Sequence, residues 1–354
     1  MSIPSTMTAV VLHGADDMRV EKRSVPEPGP GEVLLKVNVT SICGTDVKVL
    51  HRKLQGQPDG EFIMGHEYAG TIAALGPGVD EFAVGDRVAV EVHKGCERCE
   101  NCIKGWYTSC LNYGNLAKGH RAKGLTCDGG FADYAVNHIN TLYRLPDNLT
   151  FEQACMVTTA ASPLWAIDLM GGYVAGETVL VQGPGPIGLI AVQLCKALGA
   201  EHVILSGTRD ERLAIGRQLG ADHVVNVRRE NLTARVTEIT GGKGADSVLE
   251  CAGGATSMQE ALECVKRGGR IGVVAWYTGP VQIDMNLAVR SNVRIYAARG
   301  EGGMNSGRSL ALMSAGKIVA DPIITHHFPL DQVRDAFDTY MNRVGNALKV
   351  VMHV

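Results

Sequence analysis

Residues Glu177–Gly199 read ETVLVQGPGPIGLIAVQLCKALG. Val179, Leu180 and Val181 form a short apolar run, the pattern of a strand buried on both faces. Gly183-Pro184-Gly185-Pro186-Ile187-Gly188 follows at once. Beyond it Ile187, Ile190, Ala191, Leu194 and Leu198 recur at the spacing of one helix face. A glycine-rich loop alone is weak evidence, but one lying between a strand and a helix has the context that dinucleotide binding requires. Gly183 permits the tight turn, Gly185 lets backbone approach a pyrophosphate, and Gly188 lets helix and strand pack closely. Pro186 and Ile187 open the helix, whose first N–H groups and positive dipole end face the anion.

A chain of 354 residues is too long for one ordinary core, so two domains are expected. Apolar residues at 45% and charged residues at 20% describe a globular protein. The net charge of -3 gives no electrostatic footprint for nucleic acid or an anionic membrane. No apolar run reaches the length of a membrane span, and the opening MSIPSTMTAV has no basic segment followed by an apolar core. A cytoplasmic location is therefore expected, with the ten cysteines as metal ligands or buried thiols.

Outward from the glycine loop, strand and helix patterns alternate. His202–Leu205, His223–Val227, Ser247–Cys251 and Arg270–Ala275 read as strands. Glu211–Leu219, Leu232–Thr240 and Met258–Val265 read as helices, the last opened by Ser257 and Glu260 at capping-box spacing. Such alternation implies a parallel, doubly wound sheet. Before the loop, Thr8–Leu12, Val33–Val39 and Arg87–Val90 read as strands separated by glycine and proline turns. Phe151–Met170 reads as mostly helical with an interruption near Pro163, and Leu348–Met352 as a final strand.

Cys96, Cys99, Cys102 and Cys110 form C-x2-C-x2-C-x7-C. Four thiolates in one polar loop suit a closed tetrahedral zinc site, which leaves no coordination position for substrate. The last spacing is not that of the bacterial ferredoxin run. Cys43, in Ser41-Ile42-Cys43-Gly44-Thr45-Asp46, and His66-Glu67 after Gly65 also have zinc-ligand chemistry. Their separation in sequence does not by itself make a site. Taken singly, each reads as a buried thiol or a hydrogen-bonded histidine.

In their order and separations these motifs resemble the zinc-containing medium-chain alcohol and polyol dehydrogenases, threonine and sorbitol dehydrogenases most of all. The resemblance rests on Cys43-Gly44-Thr45-Asp46, Gly65-His66-Glu67, Gly85-Asp86-Arg87-Val88, the four cysteines, the glycine loop and Lys349-Val350-Val351. It implies an α/β architecture in which a Rossmann sheet domain, residues 156–294, is inserted into a mostly β, GroES-like catalytic domain, residues 1–155 and 295–354. A structural-zinc lobe is expected over about residues 93–112. Cys43 and His66 are the implied ligands of a catalytic zinc, with Glu67 beside it as a ligand or as a partner to the water; coordination by all three, with water in the open position, is the expectation. Cys96, Cys99, Cys102 and Cys110 are the implied ligands of a structural one. Thr45 matches the hydroxyl that begins a proton relay, which Lys48 or His51 would extend. His93 falls near the substrate pocket. The implied reaction is interconversion of a secondary alcohol (a polyol, sugar alcohol or amino alcohol) and a ketone by hydride transfer to NAD(P), in a homodimer or homotetramer that closes to exclude water.

Two positions depart from the pattern. Many relatives place one more zinc ligand where this chain has Thr158, and threonine is a poor ligand. An acidic residue near the end of the second strand normally takes the ribose hydroxyls of NAD. Here Ser206-Gly207-Thr208-Arg209 offers a hydroxyl from Thr208 and a planar fork from Arg209, a pairing suited to a 2′-phosphate. NADP is therefore expected over NAD. Cys251, at the end of a sheet strand, is also placed at the cofactor. Two other readings remain: a metal-independent reductase of the same superfamily acting on quinones or activated double bonds, and a zinc-stabilised binding module.

Overall fold

The computed structural model describes residues 3–354, so Met1 and Ser2, which open the expected catalytic domain, lie outside the described residues. The chain divides into two compact units. One comprises the chain up to Thr158 together with Gly300–Ser314 and Ile323–Val354, and the other comprises Thr159–Arg299 and Ala315–Pro322.

The second unit is built on six parallel strands in the order His223–Asn226, His202–Gly207, Thr178–Gln182, Ala245–Glu250, Val265–Val273 and Arg294–Ala297. Strand order reverses beside Thr178–Gln182, the first strand of the unit, so the crevice for a ligand opens at its carboxyl end. Val179, Leu180 and Val181 are fully buried, as the uninterrupted apolar run predicts for a strand covered on both faces. Leu180, Ile204, Val248 and Ile271 join one core beneath helices Leu232–Ile239 and Ser257–Cys264.

The first unit is mostly β. Glu32–Ile42 is the hub of a seven-stranded sheet, pairing antiparallel with Glu67–Leu75, with Tyr134–His138 and with the terminal strand Lys349–His353. Lys349–His353 in turn pairs parallel with Ile324–Pro329. The last five-residue strand of the chain thus lies inside the sheet that the first part of the chain begins.

Two local expectations are corrected. The interruption in the segment after Phe151 falls at Cys155–Met156, between helices Phe151–Ala154 and Val157–Leu169, and Pro163 sits inside the second helix. An interior proline costs about 3 kcal/mol. Burial of Ala160, Ala161, Leu164, Ala166 and Ile167 on this apolar helix offsets it. Ser257 is the first residue of its helix, not its cap. The cap is Thr256, whose hydroxyl donates to Glu260 Oε1 at 2.9 Å, while Ser257 Oγ donates to the Gly254 carbonyl. The helix starts one residue earlier than the spacing suggested, which moves Glu260 out of capping-box register. Among the described residues, no helix is long and apolar enough to cross a membrane.

Candidate metal centre and nucleotide loop

Cys43 follows the hub strand directly and is the N-cap of the helix Gly44–Leu50. Asp46, fully buried, accepts the Cys43 N–H on Oδ2 at 2.8 Å and faces His66 Nδ1 with Oδ1 at 3.0 Å. An ionised carboxylate only accepts, so the imidazole proton lies on Nδ1 and Nε2 presents its lone pair. Burial opposes a charge on His66, but Asp46 and Cys43 outweigh it and hold the imidazole well above its usual pKa. The charged ring carries a second proton on Nε2, which a metal ion entering here would displace while Nδ1 keeps its bond to Asp46.

His66 is brought in by a backbone position that only glycine fills. Gly65 has φ +90°, and a Cβ on it would stand 2.1 Å from Phe131 Cδ1. Glu67 then begins the next strand in register with Ser41. Ser41 Oγ and Lys349 Nζ both donate to Glu67 Oε2 at 2.6 Å, with Glu67 and Lys349 each buried. Burial would raise the Glu67 carboxyl, but the Lys349 and His66 charges hold it below its usual range. Burial likewise opposes the Lys349 charge, and Glu67 more than offsets it, so the ammonium sits above the ordinary lysine range.

Ligand atoms of Cys43, His66 and Glu67 lie within 4.8 Å of one another. The donors suit zinc: a thiolate, an imidazole with its second nitrogen fixed, and a carboxylate. Asp46 is the group that orients His66. Thr45 is half-buried on the adjoining helix, and Thr158 is buried. Lys48 lies close enough to feel the Cys43 charge, although burial lowers its pKa. His51 engages Asp16.

The four lobe cysteines also converge. Cys96 and Cys102 sulfurs are 3.9 Å apart, as are those of Cys99 and Cys110, and all four thiols are free. Zinc–sulfur bonds of about 2.3 Å in a tetrahedron set sulfurs about 3.8 Å apart, so the spacing already fits the ion. Burial works against the Cys96 thiolate, yet hydrogen bonds from the Asn112 side chain and the N–H groups of Arg98 and Cys99 bring the thiol down to about 6. Burial pushes Cys102 up to about 12. An ion is what would let all four ionise together.

His93 Nδ1 lies 2.9 Å from Glu301 Oε2, both groups buried. Glu91 lies in the same pocket, where Tyr143 Oη donates to it at 2.8 Å. Burial pushes the Glu91 carboxyl up to about 7, Glu301 beside it adds to the rise, and bonds from Tyr107, Ser306 and Tyr143 oppose it. Glu301 was not legible in the sequence as a partner, because it stands 208 positions from His93.

In the other unit the glycine loop runs from Gly183 into the helix Pro186–Ala197, which has Pro186 and Ile187 in its first turn. A Cβ on Gly188 would stand 1.9 Å from the Gly183 carbonyl oxygen, so helix and loop meet only because that side chain is absent. Cys251 N donates to Gln182 O, which sets Cys251 beside the start of the loop. Gly185 has open space around its missing side chain. Thr208 is exposed and Arg209 half-buried, just before the helix Asp210–Gln218. The next carboxylate, Asp210, is engaged by Asn226 Nδ2 at 2.6 Å and by Arg229 at 2.7 Å.

Residues 29–147 match the model of the alcohol dehydrogenase GroES-like domain, and residues 186–313 match that of the zinc-binding dehydrogenases. L-Threonine 3-dehydrogenase of Pyrococcus horikoshii is 37% identical over 96% of this chain and 95% of its own. The chain belongs to the zinc-containing medium-chain alcohol and polyol dehydrogenase family. Sorbitol dehydrogenase of Bacillus subtilis is 30% identical over 99% of this chain and 98% of its own. A zinc-binding dehydrogenase of Sinorhizobium meliloti 1021 bound to NADP superposes with a TM-score of 0.89 at 28% identity, covering 99% of this chain and 100% of the other. A dehydrogenase of Escherichia coli CFT073 complexed with NADH gives 0.90 at 26% identity, with the same coverage. The chain is thus an oxidoreductase of the dehydrogenase type.

Proposed function

We propose that this dehydrogenase interconverts a secondary alcohol, of the polyol, sugar-alcohol or amino-alcohol class, and its ketone with NAD(P), NADP being preferred. The observation that carries the reading is the convergence of Cys43, His66 and Glu67 within 4.8 Å, with Asp46 fixing the imidazole. When bound, zinc supplies a Lewis acid for the alcohol oxygen and the nicotinamide accepts the hydride. The chain's own residues do the rest. Cys43, His66 and Glu67 hold the ion, Asp46 keeps the His66 lone pair aimed at it, and Lys349 keeps Glu67 ionised. The Thr45 hydroxyl takes the alcohol proton and passes it outward. His93, locked to Glu301, presents a polar wall to the substrate. Cys96, Cys99, Cys102 and Cys110 hold a second, structural ion. Gly183, Gly185, Pro186, Ile187 and Gly188 cradle the pyrophosphate, with Cys251 beside them, while Thr208 and Arg209 take the 2′-phosphate.

The test is a screen of polyols and hydroxy-amino compounds against both cofactors, read at the absorbance of the reduced nicotinamide. Turnover of a member of these classes, lost on metal removal and regained with Zn2+, is expected. Thr158, in place of a further ligand, favours one rival, a metal-independent reductase. Undiminished activity after removal of the ion at Cys43 would decide for it.

A further inference from the structure

A third group of metal-ligating side chains lies away from both cysteine sites. Glu152 stands on the short helix Phe151–Ala154, His327 on the strand Ile324–Pro329 and His353 on the terminal strand Lys349–His353. Those strands pair in parallel with His327 opposite Val351, so His327 and His353 share a face, two residues apart in register. Their rings stack at 5.8 Å with 19° between planes. Both turn a nitrogen to the same carboxylate oxygen: His327 Nδ1 is 3.2 Å and His353 Nε2 3.0 Å from Glu152 Oε1. The three ligand atoms lie within 4.8 Å of one another.

The geometry points to a binding site for one divalent transition ion of the zinc type at Glu152, His327 and His353. Ligands bound at about 2.05 Å in a tetrahedron stand about 3.3 Å apart, so two of the three edges need to open by only a few tenths of an ångström. Imidazole and carboxylate together suit Zn2+ or Ni2+ rather than a hard ion such as Mg2+. On binding, each ring keeps one proton, moved to the nitrogen that faces away: Nε2 in His327 and Nδ1 in His353. The His327 and His353 side chains are 49% and 48% exposed, so ions have access and water can complete the shell. Another cluster of the same size, His13, Glu21 and Glu61, lacks this vacancy of charge, because Arg23 already bridges both of its carboxylates. Among the described residues no lysine or arginine pairs with Glu152. The ion would clasp the helix Phe151–Ala154 to the two strands that close the first unit, and none of its ligands belongs to the proposed catalytic group.

Calorimetric titration of the zinc-loaded enzyme with Zn2+, and its Tm as free Zn2+ rises, test the site. The wild type takes up one further equivalent and its Tm climbs with the logarithm of free Zn2+. His327→Ala/His353→Ala takes up no further equivalent, shows a shallower Tm rise that reflects only the ions at the two cysteine sites, and keeps wild-type dehydrogenase activity. Glu152→Gln, which keeps shape and packing, binds at least tenfold more weakly. The inference is overturned if the wild type takes up no further equivalent, or if the double variant takes up the same amount with the same Tm response. Neither result bears on the ion at Cys43, because the double variant retains those ligands.

Discussion

Glu91→Gln isolates one buried proton. The Glu91 carboxyl has an ordinary value of 4.5 and is raised to about 7 by burial and by Glu301 beside it. A carboxyl raised on folding adds stability that is complete below pH 4.5 and is lost as pH rises through 7. The shift of about 2.5 units corresponds to roughly 3 kcal/mol across that window. Glutamine has the shape of the protonated acid and does not titrate, so the variant avoids the loss. The unit that holds Glu91 has roughly 200 residues. For a unit of that size, 3 kcal/mol is about 6–12 °C in Tm. Tm is measured for both proteins from pH 5 to 8.5 at fixed Zn2+. Titrating groups that do not interact with Glu91 are common to the two and cancel in the difference. The variant is expected to gain steadily on the wild type between pH 5 and 8 and then run parallel to it. A difference that stays constant over the whole range would refute the reasoning.

Four further outcomes follow from the same geometry. Asp46→Asn removes the charge that fixes His66 and should lower zinc retention or kcat/KM by about 10–100-fold, read by metal analysis and steady-state kinetics. Lys349→Met strands the buried Glu67 charge and should destabilise the first unit by about 3–5 kcal/mol in denaturant unfolding, with Glu67→Gln in the same protein restoring much of it. Gly188→Ala drives a methyl into the Gly183 carbonyl and should cost about 1–3 kcal/mol of stability; fluorescence titration should show weaker NADPH binding. Arg209→Ala should lower kcat/KM for NADP by at least tenfold relative to NAD, and an unchanged ratio would reject the 2′-phosphate assignment.

Features governed by short-range sterics could be read from the sequence. The loop Gly183–Gly188 announces itself because a strand, a tight turn and a helix must meet where no side chain fits, and those demands fall within six residues. The four lobe cysteines are legible for a similar reason: their spacing is the site. Partners supplied by sheet register were not legible. Lys349 reaches Glu67 across 282 positions because the terminal strand lies beside the hub strand, and nothing near either residue signals it. Asp46 did leave a local trace, three residues after Cys43, but that spacing fits a ligand as well as an orienting group. Pro163 misled because propensity was weighed without the burial of the helix around it, and Ser257 because a one-residue change in helix start moves every capping position.

The place of Lys349–His353 within the first unit's sheet governs how this protein is made. Its partner strand leaves the ribosome about 300 residues sooner, which at roughly 5–20 residues per second is about 15–60 s. Throughout that interval Val39–Ile42, the end of the hub strand that Tyr134–His138 does not cover, presents an unpaired edge, open to a neighbouring nascent chain or to a chaperone. The second unit, contiguous up to Arg299 apart from a short return, can fold while the first still waits. Closure of the sheet therefore waits for Lys349–His353, and removal of that strand would leave an open seam through the unit that holds both cysteine groups.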